Sequence, residues 1–418
     1  MSVLTAEELV IMKMIELSAR NTQKDIILDC FRLSGYDKLV SERKAYNLFN
    51  KIVDDGWLNK NIEEAIEKPI QLIYLNLTQA CNFSCPYCYK GNAHKAKYMD
   101  MSTYCDIISK VSSINSECHF VITGGEPLMH PLFVEFIDFL EKRKNSYSIL
   151  TNGSLLKNEI ARLLSKCKYL KRVQVSLDGF TPEVHKITRG NTYNEVIKGI
   201  KTLIAHKIPF SIAPTVHDFN VQEIYDIAKF AFNHNGDIAP NNLRYVPENK
   251  MKSLSLSPEN LIKSLNLIKK ARMEVKSYNL KGNELKCKES DVYNNEKHLV
   301  CGLGNTVFDI DVNGDIYPCH VLSRKEFKLG NILVNNFDEI TKKVASLKIR
   351  SKSTEIEKCS TCHFVTTCHA GCRADSYFYH NSFDKPDSLC ETLYKFQLNN
   401  IILLRTGNNI KDKDYSII

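Results

Sequence analysis

QLIYLNLTQACNFSCPYCY, residues 71–89, decides how the rest of the chain is read. Its first part, QLIYLNLT (71–78), is a run of strand length rich in aliphatic residues. Its second part sets Cys81, Cys85 and Cys88 in a C-x3-C-x2-C spacing. Three thiols this close are costly to bury unpaired, and short spacings of this kind hold iron–sulfur clusters. Three ligands on a four-iron cube leave one iron open to a substrate or cofactor. Zinc is the rival reading. Structural zinc is nearly always four-coordinate, and no fourth ligand lies at finger spacing.

Outward from this stretch, strand and helix patterns alternate to about residue 250. Strand-like runs are HFVIT (119–123), YSILTN (147–152), RVQVSLD (172–178), PFSIAPTV (209–216) and NLRYV (242–246). Helical stretches such as PLFVEFIDFLEKRK and EVIKGIKTLIAH separate them. Six β/α units predict an α/β fold with a parallel sheet curled into a partial (β/α)6 barrel, here bounded at 69–280. Active-site residues of such barrels sit at the C-terminal ends of the strands.

On the N-terminal side, residues 1–68 read as a small helical, winged-helix-like domain. It carries 10 Lys/Arg against 12 Asp/Glu, whereas a DNA reader needs a basic face. A protein- or peptide-docking module suits that balance better. On the C-terminal side, residues 281–405 form a Cys-rich segment, followed by a polar tail at 406–418. In that segment TVFDIDVNGDIYPCHVL predicts two short strands joined at Asn313-Gly314. The net charge of +8 is mild for 418 residues and does not demand nucleic acid. The N-terminus lacks the features of a signal peptide and no apolar run is long enough to span a membrane. A cytoplasmic location follows as the expectation. In a reducing compartment 15 cysteines point to metal ligation or catalysis rather than to disulfides.

A CxxxCxxC loop after the first strand of a β/α barrel resembles the radical S-adenosylmethionine (SAM) superfamily, over roughly residues 70–250. The resemblance extends to further motifs. Tyr87 matches the aromatic residue that packs on the adenine of SAM. Gly124, Gly125, Glu126 and Pro127 match the GGEP motif, where backbone carbonyl and Glu bind the methionyl amino group. Two glycines allow close approach of the backbone to a ligand. Ser176 and Asp178, in SLDG, match the end of the fourth strand; Ser176 would contact SAM. Arg189 would pair its carboxylate, for which a guanidinium fork is suited. Read singly, GGEP could be a turn, SLDG a strand end and Arg189 a solvated charge. Their common place at strand ends is what the resemblance adds.

The C-terminal cysteines Cys301, Cys319, Cys359, Cys362, Cys368, Cys372 and Cys390 resemble the SPASM domain, which carries two auxiliary [4Fe–4S] clusters. The resemblance implies Cys359, Cys362, Cys368 and Cys390 for the outer cluster. It implies Cys301, Cys319 and Cys372 for the inner one, with Cys287 the sole candidate for a fourth ligand and an open iron as the alternative. A pair of zinc sites is again the rival. Cys30, Cys105, Cys118 and Cys167 read as core.

With three [4Fe–4S] clusters and SAM, the resemblance implies reductive cleavage of SAM and hydrogen abstraction by a 5′-deoxyadenosyl radical. It further implies an electron donor such as flavodoxin or ferredoxin. Proteins with this C-terminal domain mostly modify peptides or proteins. The first expectation is a maturase of a ribosomally made precursor peptide that forms a carbon–carbon or thioether cross-link. Its N-terminal domain would bind the leader as a recognition element. The alternative is a formylglycine-forming maturase like those of anaerobic sulfatases. That family carries an Asp after the cysteine matching Cys319, where this chain has His320, a departure that counts against it. A histidine could act as a base, or simply be a hydrogen-bonded residue near a cluster. A non-enzymatic iron–sulfur regulator is a third class, against which the intact SAM motifs argue.

Overall fold

The computed structural model describes residues 70–91, 97–243, 254–279, 301–347, 356–362, 368 and 370–395. The expected N-terminal domain, Cys30, Cys287 and the polar tail lie outside the described residues. The chain divides into two compact units. The larger contains the described residues within 68–293 and 302–350, and the smaller those within 294–301 and 351–418.

The larger unit is a parallel sheet with helices between its strands. Strands β1 (Leu72–Thr78), β2 (His119–Gly124), β3 (Tyr147–Thr151), β4 (Leu170–Val175) and β5 (Phe210–Ile212) follow one another in the sheet, each parallel to the last. Helices α1 (Met101–Ile114), α2 (Phe133–Arg143), α3 (Asn158–Leu164), α4 (Pro182–Arg189) and α5 (Tyr193–Ala205) occupy the crossovers. In β1 the alternation is clean: Ile73, Leu75 and Leu77 are wholly buried on one face, and Tyr74, Asn76 and Thr78 point the other way. Helix α1 starts at Asp100, whose carboxylate caps the Thr103 N–H, and it buries Tyr104, Ile107, Ile108 and Val111 at helical spacing. The Tyr104 ring stacks on Phe136 of α2 at 4.2 Å.

Two features differ from the sequence reading. The run PFSIAPTV is broken at Pro214 into β5 and a two-residue strand β6 (Thr215–Val216). The sixth strand of the main sheet is β7 (Asp237–Ile238), beside β5. Of the expected strand at 242–246, the described part ends at 243, and Asn242 belongs to β8 (Asn241–Asn242), which pairs with β6 in a separate small sheet. The cause is local. Pro214 and Pro240 face this ladder at matching positions, and neither has an N–H to continue it.

The second feature is the hairpin. Strands β9 (Val307–Ile310) and β10 (Asp315–Tyr317) are antiparallel, with Gly314 at φ 81° in the turn. The pair does not stand apart: β9 lies parallel to β1, with Tyr74 opposite Asp309. With β11 (Gly330–Asn331) the sheet reaches nine strands, in the order β11-β10-β9-β1-β2-β3-β4-β5-β7. Among the described residues no helix is long and apolar enough to cross a membrane.

Candidate functional site

The cysteine loop leaves β1 at its C-terminal end and is fastened to the end of β2. Gly125 N–H donates to Thr78 O and Glu126 N–H to Ala80 O, each at 2.8 Å. The contact is too close for side chains. A Cβ on Gly124 would lie 2.4 Å from Thr78 O, and one on Gly125 would lie 2.2 Å from Ala80 O. Gly124 also has φ +145°, which L residues rarely adopt. The glycines therefore serve backbone-to-backbone packing that holds the stretch before Cys81 in place. Glu126 is fully buried and caps the short 3-10 turn Pro127–Met129. Its carboxylate accepts from Leu128 N–H at 3.1 Å, the Thr151 hydroxyl at 2.7 Å and Asn152 N–H at 2.7 Å. Burial pushes its pKa up to about 7 against these donors.

Within the loop, Cys88 N–H donates to Cys85 O and Phe83 N–H to the Cys81 sulfur. Burial pushes the Cys85 thiol up to about 11 and also raises Cys81, with Arg189 pulling the other way at both. Thiols raised in this way stay protonated at neutral pH unless a positive charge stabilises their thiolates, which a bound metal cluster would do.

At the end of β4, Asp178 is fully buried and joins three elements. Its Oδ1 accepts from Thr215 N–H at 2.9 Å. Its Oδ2 accepts from the Tyr87 hydroxyl at 2.5 Å and the Thr188 hydroxyl at 2.8 Å, and pairs with Arg189 Nε at 2.9 Å. Burial alone would raise the Asp178 carboxyl, but Arg189 and the hydrogen-bond donors outweigh it and hold it below its ordinary range. Arg189 Nη1 lies 4.0 Å from the Cys85 sulfur, and its guanidinium carbon 5.6 Å from the Tyr87 ring centre. The structure thus brings Tyr87, Asp178 and Arg189 together with the cysteine loop. Ser176, just beyond β4, is partly exposed.

A further polar group was not singled out from the sequence. Asn76 of β1 donates to Asp309 Oδ1 at 3.0 Å and to Ile310 O at 2.8 Å, and its own oxygen accepts from Lys90. Burial lowers the Lys90 pKa and raises that of Asp309, and each opposes the shift of the other. Beside them the His320 ring lies 4.2 Å from Tyr74 and 5.5 Å from Tyr89. Burial holds the His320 pKa down at about 4, so the ring is neutral, and its Nδ1 has no hydrogen-bond partner among the described residues. The signal was present: Asn76 and Asp309 are polar residues inside apolar strand runs, LIYLNLT and VFDI.

In the smaller unit, Cys359, Cys362, Cys368 and Cys390 line one cavity of about 450 Å³, with Ala370, Asp387 and Tyr394. Burial pushes the Cys359 and Cys368 thiols up to about 11, and nearby thiols add to it. Among the described residues no three His, Cys, Asp or Glu side chains converge closely enough for a single metal ion. Four thiols spread around a space of this size suit a group larger than an ion. Cys301 and Cys372 belong to the same unit as these four, and Cys319 to the larger one. Cys118 is buried, whereas Cys105 and Cys167 are only partly so.

Comparison with known proteins agrees with this geometry. The profile of the radical SAM superfamily matches residues 75–231, and that of the SPASM iron–sulfur cluster-binding domain matches 301–363. A mycofactocin maturase of Mycobacterium ulcerans is 26% identical over 356 residues, covering 80% of this chain and 90% of the relative. A cysteine-type anaerobic sulfatase-maturating enzyme of Clostridium novyi is 25% identical, covering 80% of this chain and 96% of the relative. The crystal structure of Streptococcus suis SuiB bound to precursor peptide SuiA superimposes with a TM-score of 0.62 at 19% identity, over 85% of this chain and 82% of that one. That likeness is one of fold. The chain is a radical SAM superfamily enzyme with a SPASM domain, and it resembles the maturases of ribosomally made peptides.

Proposed function

We propose that the chain is a peptide maturase that takes a hydrogen atom from a side chain of a ribosomally made precursor and forms an intrapeptide carbon–carbon or thioether cross-link. It would hold SAM and three [4Fe–4S] clusters and receive electrons from a flavodoxin or ferredoxin. One observation carries the reading: the loop of Cys81, Cys85 and Cys88, the backbone of 124–126 and the Tyr87–Asp178–Arg189 group meet at the C-terminal end of the sheet.

When bound, SAM and the reduced cluster supply a 5′-deoxyadenosyl radical, which abstracts hydrogen from an unactivated carbon. The chain's own residues do the rest. Cys81, Cys85 and Cys88 would hold the first cluster by three thiolates and leave one iron for SAM. The carbonyls of the Gly124–Gly125 segment would accept from the methionyl amino group. The Glu126 carboxylate, already accepting three protein donors, fixes that segment against Thr151 and Asn152. Arg189 would offer its terminal nitrogens to the methionyl carboxylate, and the Tyr87 ring would flank the adenine. Ser176 would contact the same ligand. Cys359, Cys362, Cys368 and Cys390 would hold the outer auxiliary cluster in their cavity, and Cys301, Cys319 and Cys372, with Cys287 as fourth candidate, the inner one.

The second reading, formylglycine formation, is favoured by the position of His320. It is a partly exposed imidazole with a buried, unpartnered Nδ1, next in sequence to Cys319 where the sulfatase maturases carry their Asp. The two readings separate in one experiment. The reduced holoenzyme, SAM and a precursor encoded by a neighbouring short reading frame are combined, and the product is examined by tandem mass spectrometry. A product lacking two hydrogens, resistant to fragmentation between two residues and inert to hydrazines, is the expected result. A hydrazine-reactive aldehyde at a Ser or Cys would establish the second reading in its place.

A further inference from the structure

We infer that Asp178 is a positioning residue that acts on bound SAM only through Tyr87 and Arg189, which it clamps against the cysteine loop. The inference rests on the site reading given above.

A carboxylate offers about four lone-pair positions. At Asp178 three protein donors take three of them, Thr215 N–H on Oδ1 and the Tyr87 and Thr188 hydroxyls on Oδ2, and Arg189 Nε adds an ion pair to Oδ2 at 2.9 Å. The residue is 0% exposed, so no oxygen is left for a ligand. What it provides is geometry. Tyr87 comes from the cysteine loop, Thr188 and Arg189 from the end of α4, and Thr215 from β6. The Asp178 main chain is tied to the same place, because Asn220 Nδ2 donates to both Asp178 O and Thr215 O at 2.8 Å.

The pairing also selects how Arg189 presents itself. With Nε held by Asp178, the guanidinium offers its terminal edge, and Nη1 on that edge is the atom 4.0 Å from the Cys85 sulfur. A carboxylate bound there would lie next to the cysteine loop, where an open iron requires it. Replacement of Asp178 by Asn cannot preserve this. Either its amide nitrogen faces Thr215 N–H, donor against donor, or it faces the Tyr87 and Arg189 donors.

The test uses reconstituted holoprotein. SAM affinity is measured by equilibrium dialysis, and KM and kcat for deoxyadenosine release by steady-state kinetics. Asp178→Asn is expected to raise Kd and KM for SAM ~10-fold while kcat at saturating SAM stays within ~3-fold of wild type. Tyr87→Phe keeps the ring, loses one clamp bond, and should weaken SAM by ~3-fold. The double variant should bind no more weakly than Asp178→Asn alone, because both act through one clamp. Additive losses, or wild-type affinity in Asp178→Asn, would overturn the inference. Should Asp178→Asn not fold, Tyr87→Phe and Thr188→Val decide it: wild-type SAM affinity in both singles and in their double would overturn the clamp. Failure of wild-type holoprotein to bind SAM would instead overturn the reading of the site itself.

Discussion

Gly125 has no room for a side chain. A single added carbon would sit 2.2 Å from Ala80 O and 2.6 Å from Ala80 C, both backbone atoms that cannot swing away. Gly125→Ala is therefore expected to push the start of the cysteine loop off β2, weakening SAM by ~10-fold or more by the logic of misplaced binding groups. Equilibrium dialysis of the reconstituted variant checks this, and unchanged affinity would mean that the loop tolerates the displacement. Buried histidines give a second prediction. His185 is fully buried, and burial, reinforced by Arg189, depresses its pKa to about 4. His119 is held at about 4 by burial and nearby Arg172 and Lys171. The unfolded chain binds a proton at each near pH 6.5 while the folded chain does not, so folding stability falls as pH drops from 6.5 through 4. His185 alone would contribute up to about 3 kcal/mol of that loss. A Tm profile between pH 7.5 and 4.5 should slope down on the acid side, and His185→Gln should flatten it. The residues that were legible in the sequence are those whose spacing is itself the signal: the two cysteine groups and GGEP. Asp178 could be named from SLDG, but its partners Thr188 and Thr215 could not, because a hydrogen bond between side chains on different elements leaves no local periodicity.

The strands show the same division. The runs giving β1 to β4 could be bounded from sequence to within three residues because each groups strand-forming residues between turn residues. The fifth and sixth strands could not, because Pro214 and Pro240 interrupt a ladder whose two sides are more than twenty residues apart. Nor did the hairpin's sequence reveal that β9 would add to β1, since Tyr74 and Asp309 pair across more than two hundred residues of chain. The Asn76–Asp309 bond holds that junction, and Lys90 supplies the neighbouring positive charge. Asp309→Ala removes one of the two acceptors of Asn76 Nδ2 and the stronger of the carboxylates acting on Lys90, at a cost of about 3 kcal/mol. A drop in Tm of several degrees is expected. The pair Lys90→Met/Asp309→Leu should recover part of it, since no uncompensated charge remains. Equal or greater loss in the pair would show that the junction depends on the charges themselves.

At the scale of the whole molecule the account makes a count. Three four-iron clusters require about 12 irons per chain after anaerobic reconstitution. Cys359→Ser with Cys390→Ser removes two of the four thiols around the outer cavity and should lower the count to about 8 while SAM cleavage persists. Zinc in the wild-type protein with only about four irons would contradict the auxiliary clusters. The segment 1–68 carries the recognition proposal, on its helical pattern and near-neutral charge. Deleting residues 1–66 should spare SAM cleavage but sharply slow modification of a full precursor, because a docked leader raises the effective concentration of the core peptide. Wild-type processing by a soluble, cluster-loaded truncation would remove that role.

Release of 5′-deoxyadenosine tests the central claim most directly. The full chain is reconstituted anaerobically, reduced with dithionite, given SAM, and the nucleoside is measured by chromatography. The account predicts steady release from the wild-type protein and none from Cys81→Ala, Cys85→Ala or Cys88→Ala, since two thiolates cannot hold the open-iron cluster. No deoxyadenosine from wild-type protein of full iron content, or substantial release from any of the three variants, would contradict it.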